Sequence, residues 1–135
     1  SNLPTEERWF ESANRDYDVL QLIVFDEGVR VGMVELNPID RETGVAELAF
    51  WIHPDHREHG YGREAIAVLL EYTFDELRVH KVTANAFASN EASRNLLTSL
   101  GFTEEGIGRE DTYMDGVYAD THYYGILEDE WDGSG

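Results

Sequence analysis

Two periods of apolar residues run along this chain, and they predict where strands and helices lie. Residues 19–25 form an apolar run rich in β-branched side chains, closed by Asp26-Glu27-Gly28, and residues 29–36 resume it, which predicts a hairpin. Past Asn37-Pro38 and Thr43-Gly44, Val45–Ile52 reads as a third strand that stops before Pro54. From Gly60 the period becomes helical, with Ala65, Ile66, Val68, Leu69, Tyr72, Thr73 and Leu77 on one face. Residues 80–87 predict a fourth strand. Residues 91–100 predict a helix that turns Ala92, Leu96, Leu97 and Leu100 inward and ends at Gly101, placed for the left-handed backbone that closes helices. Asp115-Gly116, between residues 109–114 and Val117–Leu127, signals a tight hairpin with positive φ at both turn residues. Ahead of these, Thr5 with Glu6 and Glu7 has the cap and first-turn charge of a short helix over residues 5–13.

The order α-β-β-β-α-β-α-β-β predicts an α/β (α+β) domain, a mixed sheet with helices on both faces, spanning residues 1–131. Asp132-Gly133-Ser134-Gly135 reads as a disordered tail. A chain of 135 residues, 41% hydrophobic and 12% aromatic, has enough apolar material for one core despite a net charge of -18.

Charge narrows the class. Asp and Glu number 28 against 10 Lys and Arg, and Lys81 is the only lysine. Acid spread along a nearly lysine-free chain fits a protein of a salt-loving organism, because molar salt shortens the screening length to about 3 Å and relieves self-repulsion. No basic stripe exists to displace counterions from nucleic acid, so such a partner is disfavoured. The absence of cysteine excludes disulfides, thiolate zinc sites and thiol nucleophiles. No apolar run approaches the roughly 18 residues of a membrane span and no leader is visible, which predicts a cytoplasmic protein with no membrane partner.

The stretch HPDHREHGYGREA, residues 53–65, is the chemical centre of the sequence. A strand that stops at Pro54 and a helix that starts near Gly60 leave backbone N–H groups without partners at the positive end of a helix dipole. Gly60 and Gly62 let an anion approach that backbone, and Arg57 and Arg63 add a local cluster of positive charge. The spacing matches neither the nucleoside-triphosphate loop nor the dinucleotide fingerprint, so a different diphosphate ligand is implied. His53, His56 and His59 invite a metal reading, but Pro54 interrupts their spacing and co-ligands are missing, so no metal is predicted.

The run AELAFWIHPDHREHGYGREAIAVLLEYTFDEL, followed by ANAFASNEASRNLLTSLGFTEEGIGRE, resembles the two central motifs of the GNAT superfamily of N-acetyltransferases, and within it the RimJ/RimL-like branch. The likeness rests on Arg57-x-x-Gly60-x-Gly62 with Glu64-Ala65, Asn90-x-x-Ser93, Leu100-Gly101-Phe102, Glu105-Gly106, Arg109-Glu110 and Glu130-Trp131. It implies acetyl-CoA as co-substrate and an amine acceptor, either a protein N-terminal α-amine or a small molecule. It also implies that the strands at 45–52 and 80–87 splay apart. The backbone of His59, Gly60, Tyr61, Gly62, Arg63 and Glu64 would then hold the pyrophosphate, with Arg57 beside it, and Trp51, Ile52 and His53 would pair with the pantetheine arm. A homodimer built on the hairpin at 109–127 is a further implication. Relatives usually begin with a strand and a helix that this chain lacks, so part of the acceptor wall is expected to be missing.

Acetyl transfer to an amine needs a neutral nucleophile, a stabilised oxyanion and a proton for the thiolate. The resemblance implies an oxyanion donor at a backbone N–H near Ile52, where the strand would bulge. Many relatives use a tyrosine for the thiolate where this chain has Leu97, so the candidate moves to Ser93, one turn earlier, which could alternatively bond back to its own helix. Some relatives place a glutamate base where this chain has Asn85. Glu47 is the substitute: period-2 alternation puts Val45, Glu47, Ala49 and Trp51 on one face, where a carboxylate would be partly desolvated, unless it is tied to an arginine or backbone group. Glu35 is second and a water chain third. Asn90 can cap the helix at Ser93 or Arg94 and touch the cofactor as well. Tyr113 and Tyr123 join Glu35 and Glu47 as candidates for the acceptor cleft. The alternative function is a non-catalytic acyl-CoA binding or sensing module.

Overall fold

The computed structural model describes residues 5–12 and 17–133, with the side chains of residues 5–17 and Glu58 outside that description. Residues up to Phe87 give β1 (Thr5–Ser12), β2 (Tyr17–Asp26), β3 (Val29–Asp40), β4 (Val45–Ile52), α1 (Tyr61–Asp75) and β5 (Lys81–Phe87). The remainder gives α2 (Glu91–Ser99), β6 (Thr103–Met114) and β7 (Val117–Leu127). One seven-stranded sheet runs in the order β1-β2-β3-β4-β5-β7-β6.

Alternation decides which side of the sheet is wet. Leu20, Leu22, Val24, Val34, Leu36, Ala46, Leu48, Val82, Ala84 and Ile126 are buried in one cluster. Ala65, Ile66, Leu69, Leu70 and Phe74 of α1 and Leu97 of α2 pack on the same cluster, the Ile, Leu and Phe side chains each worth roughly 1.5–3 kcal/mol of transfer free energy. The helices expected on both faces are therefore, among the described residues, both on one. On the other side Glu47, Ala49 and Trp51 are exposed. The hairpin turn takes φ 52° at Asp115 and 83° at Gly116, and Gly101 takes 103°, as those signals predict.

One element departs from its local signals. Residues 5–12 are not helical but pair antiparallel with β2 from Thr5↔Phe25 to Ser12↔Asp18; Ala13 of the expected helix lies outside the described residues. A cap and first-turn acids are worth about 1 kcal/mol each, whereas eight paired rows satisfy a whole strand edge of β2. At the other end, Trp131 Nε1 donates to Glu71 Oε1 of α1 at 3.1 Å, and Glu130 Oε1 accepts from Leu127 N–H at 2.9 Å. The expected tail begins past this anchor; Ser134 and Gly135 lie outside the described residues.

β3 and β4 touch most closely at Gly32, where an added Cβ would stand 2.6 Å from the Trp51 carbonyl oxygen and 2.5 Å from Ile52 Cδ1. Gly32→Ala is expected to cost about 1–3 kcal/mol through overpacking. Gly106→Ala, which meets nothing within 4 Å, should stay within about 0.5 kcal/mol; urea unfolding of both variants checks the pair.

Candidate active site

The site is built where β4 and β5 part. They pair in parallel through only three rows, Val45↔Lys81, Ala46↔Val82 and Glu47↔Thr83, and beyond these each strand keeps only its outer neighbour. His53 N–H donates to Val31 O at 2.7 Å, so by alternation the N–H and C=O of residues 50 and 52 face away from β3, into the split. Arg57 Nε takes the Ile52 carbonyl at 3.1 Å, while the Ile52 N–H stays directed at the gap. The bulge expected beside Ile52 is elsewhere: rows from Leu48 to Ile52 are regular, and the extra residue lies on β3 between Leu36 and Ile39, opposite Glu47. The Ile52 N–H thus faces the split from a regular strand and not from a kink.

The loop between β4 and α1 is a 3₁₀ turn, Pro54–His59, ending at Gly60 with φ 78°. Gly60 gives α1 no side-chain cap, and the first N–H to bond back along the helix is that of Glu64, to Gly60 O at 3.1 Å. The amides of residues 61–63 are therefore the orphan donors of the helix N-terminus, at the positive end of its dipole. Gly62 is buried with its Cα side against Ile52 and Leu96, where a larger residue would close the space between α1, β4 and α2.

From the far bank, α2 enters with Asn90 as its N-cap, Oδ1 accepting from Ser93 N–H at 3.1 Å. Ser93 is half-buried, and among the described residues its hydroxyl makes no hydrogen bond, so the bond back into its own helix is not formed. Phe50, Trp51, Ile52, Arg57, Gly60, Gly62, Arg63, Asn90, Ala92, Ser93 and Leu96 line a single cleft of about 400 Å³.

Most of the predicted cofactor residues thus converge, and the others have different work. His53 spends its amide on Val31. His59 and Glu64 are off the cleft lining, and the Tyr61 ring stacks on His59 with centroids 5.3 Å apart. A hydrogen bond to Asp26 and partial burial raise the Tyr61 phenol above its ordinary pKa. The three histidines do line up, at 5.8 and 5.9 Å between successive rings, as an aromatic ladder; among the described residues no three His, Cys, Asp or Glu are grouped to hold a metal. Arg63 reaches across to Ser99, bonding its hydroxyl and carbonyl oxygens at 3.2 Å each. Ala92, expected inward, is exposed and forms cleft wall, as does half-buried Leu96. Phe50 was missed because strand alternation assigns it to the core and cannot foresee the split.

The expected desolvation of Glu47 is not found. It lies on the face with no described helix and is exposed, at the last row before the strands part. Glu35 is half-buried and accepts from Gln21 Nε2 at 2.6 Å.

Residues 2–103 match the family model described as an acetyltransferase (GNAT) domain. The chain belongs to the GNAT acetyltransferase family. Among its GNAT relatives is YdaF of Bacillus subtilis (strain 168), which carries a provisional name as a ribosomal N-acetyltransferase; the two are 35% identical over 107 residues, 79% of this chain and 58% of YdaF. The spermidine N(1)-acetyltransferase of Vibrio cholerae is 28% identical over 91% of this chain and 80% of its own length. A structure of the Vibrio cholerae spermidine enzyme in complex with CoA and spermine superposes with a TM-score of 0.77 at 30% identity, covering 83% of this chain and 67% of that one. The chain thus spans little more than half the length of YdaF, and none of its described helices is long and apolar enough to cross a membrane.

In this GNAT fold the cap on α2 aims one wall of the cleft. Asn90→Ala removes the acceptor for Ser93 N–H and should cost about 1 kcal/mol, whereas Asn90→Asp keeps it; chemical denaturation with circular dichroism distinguishes the two.

Proposed function

We propose that this domain moves an acetyl group from acetyl-CoA to a primary amine by direct attack. The observation that carries the reading is convergence: the unspent amides at the start of α1, the inward Ile52 N–H and the unbonded Ser93 hydroxyl open on one cleft. Amides of residues 61–63, flanked by Arg57, suit a diphosphate. The strand edge at residues 50–52 suits an amide-bearing arm that continues the sheet. When bound, the thioester supplies an activated acyl carbon: the amine nitrogen forms a bond to it, the C–S bond breaks, and the nitrogen gives up a proton.

Ile52 N–H is placed to stabilise the oxyanion, and Ser93 to deliver a proton to the leaving sulfur. Glu47, at the fork of the split on the open face, is our base for the amine, acting through water because it is solvent-exposed; Glu35, on β3 opposite Ala49, is the second candidate. Alignment of amine and thioester by the cleft carries more of the rate than the base does.

We read the acceptor as a protein N-terminal α-amine or a small amine; the relatives include one provisionally named a ribosomal N-acetyltransferase and one named a spermidine N(1)-acetyltransferase. Membership of the RimJ/RimL-like branch, a cytoplasmic location, self-association as in the dodecameric Vibrio cholerae enzyme, and a salt-rich setting complete the reading. For the last, the net charge of -18 predicts a melting temperature that climbs as KCl is raised to molar levels.

Acetyl-CoA at a hundredfold excess over its Kd should stabilise the fold by about 2.7 kcal/mol, several degrees of Tm. Absence of any shift at millimolar concentration would sink the proposal. Ser93→Ala and Glu47→Gln should each lower kcat at least about a hundredfold, the lower end for single proton-transfer groups, with acetyl-CoA affinity nearly unchanged. Cofactor binding without thioester loss across a broad amine panel would instead identify a non-catalytic acyl-CoA module.

A further inference from the structure

The face of the sheet without described helices has its own furnishings around the split. Asn85 is the first residue of β5 on that face beyond the last row shared with β4, and it pairs directly with Tyr123 of β7. β6 loses register between Gly108 and Thr112. Within this bulge Glu110 takes φ 48°, and its N–H is held by Asp120 Oδ1 at 2.9 Å. The excursion lays Asp111 over Gly108 and against Tyr123, whose hydroxyl donates to Asp111 Oδ2 at 2.6 Å. A Cβ on Gly108 would collide with that carboxylate and crowd the Tyr123 ring at 3.0 Å, so only glycine lets the carboxylate and ring pack there. Tyr123 is 42% exposed, and Trp51, on the β4 bank, is 50% exposed, which leaves both aromatic surfaces open to a ligand.

The charge on Asp111 is left unanswered. Glu105, on the same face, is neutralised by Lys81 at 2.9 Å. Among the described residues no cation forms an ion pair with Asp111; its partners are hydroxyls. Hydrogen bonds from Thr121 and Tyr123 hold its carboxyl below the usual carboxylate range, so it is ionised at neutral pH. A fixed carboxylate bonded to an exposed aromatic ring suits an organic cation.

Distance separates this role from proton abstraction. Successive strands lie about 4.8 Å apart, so β6 stands roughly 10 Å from the β5 bank of the split, too far for Asp111 to touch an amine reacting beside Ile52. We infer that Asp111, with Tyr123 bonded to it and Trp51 on the facing bank of the split, selects acceptors that carry a second cationic group remote from the amine being acetylated. The inference rests on the acetyltransferase reading and sharpens it: Asp111 is a specificity residue and takes no part in the chemistry.

The test compares 1,6-diaminohexane with hexylamine, equal in chain length and different by one charge, at the lowest salt in which the protein stays folded. Wild type should favour the diamine by about tenfold in kcat/KM, as expected for one charge-assisted contact. Asp111→Asn should bring that ratio to within about twofold of unity by raising KM for the diamine, leaving hexylamine kinetics, KM for acetyl-CoA and Tm unmoved. Tyr123→Phe should fall between, and added salt should compress the wild-type preference. A wild type indifferent to the second charge, or an unchanged ratio in Asp111→Asn, overturns the inference while leaving amine acetylation standing. Should neither amine be acetylated, NMR titration with 1,6-diaminohexane decides the cation site: equal affinity of wild type and Asp111→Asn removes it.

Discussion

The site depends on a failure of pairing. Two strands at the centre of a sheet ordinarily satisfy each other along their full length, yet β4 and β5 stay together for three rows only. Every donor and acceptor beyond that point must find water, a side chain or a ligand. The protein keeps the opening rigid by holding each bank from outside: β3 stays in regular register with β4 from Leu48 to Ile52, and β7 stays paired with β5 as far as Phe87. α1 packs over β2, β3 and β4 on one bank and α2 against β5 and β6 on the other, so both helices cover one face of the gap and no described helix covers the opposite one.

Much of this was readable in advance because it depends on local chemistry. Pro54, Gly60 and Gly62 mark a loop feeding a helix, and the apolar rhythm of α1 and β4 fixes which residues face the core. Asn90 at a helix entry three residues before Ser93 is a cap by spacing alone. The misses are non-local. The β1 edge prefers to complete β2 over forming its own short helix, and no local cap reports the presence of an unpaired strand edge. Glu47 was placed on the correct face, but whether that face is covered depends on packing that alternation does not encode. The bulge on β3 and the one in β6 are likewise products of register between distant segments.

Arginine use shows how an acidic body keeps an anion site. The guanidinium groups of Arg57, Arg63 and Arg94 each bond a backbone carbonyl, at Ile52, Ser99 and Ala88. These are carbonyls at the ends of β4 and α2 and in the turn before α2, where no strand or helix partner remains. The cations therefore shape the rim of the cleft as well as its potential, which a lysine, with its mobile point charge, would do less well. The planar fork can hold a carbonyl with one edge and still present positive charge with another.

Lys81, the sole lysine of the sequence, is bound to Glu105 and laid across Gly125, where a Cβ would come within 2.7 Å of its Cε. An ammonium held in an ion pair is not a nucleophile, and guanidinium groups do not acylate at neutral pH. Within this sequence the one side-chain amine that a reactive thioester could meet is therefore engaged by a carboxylate.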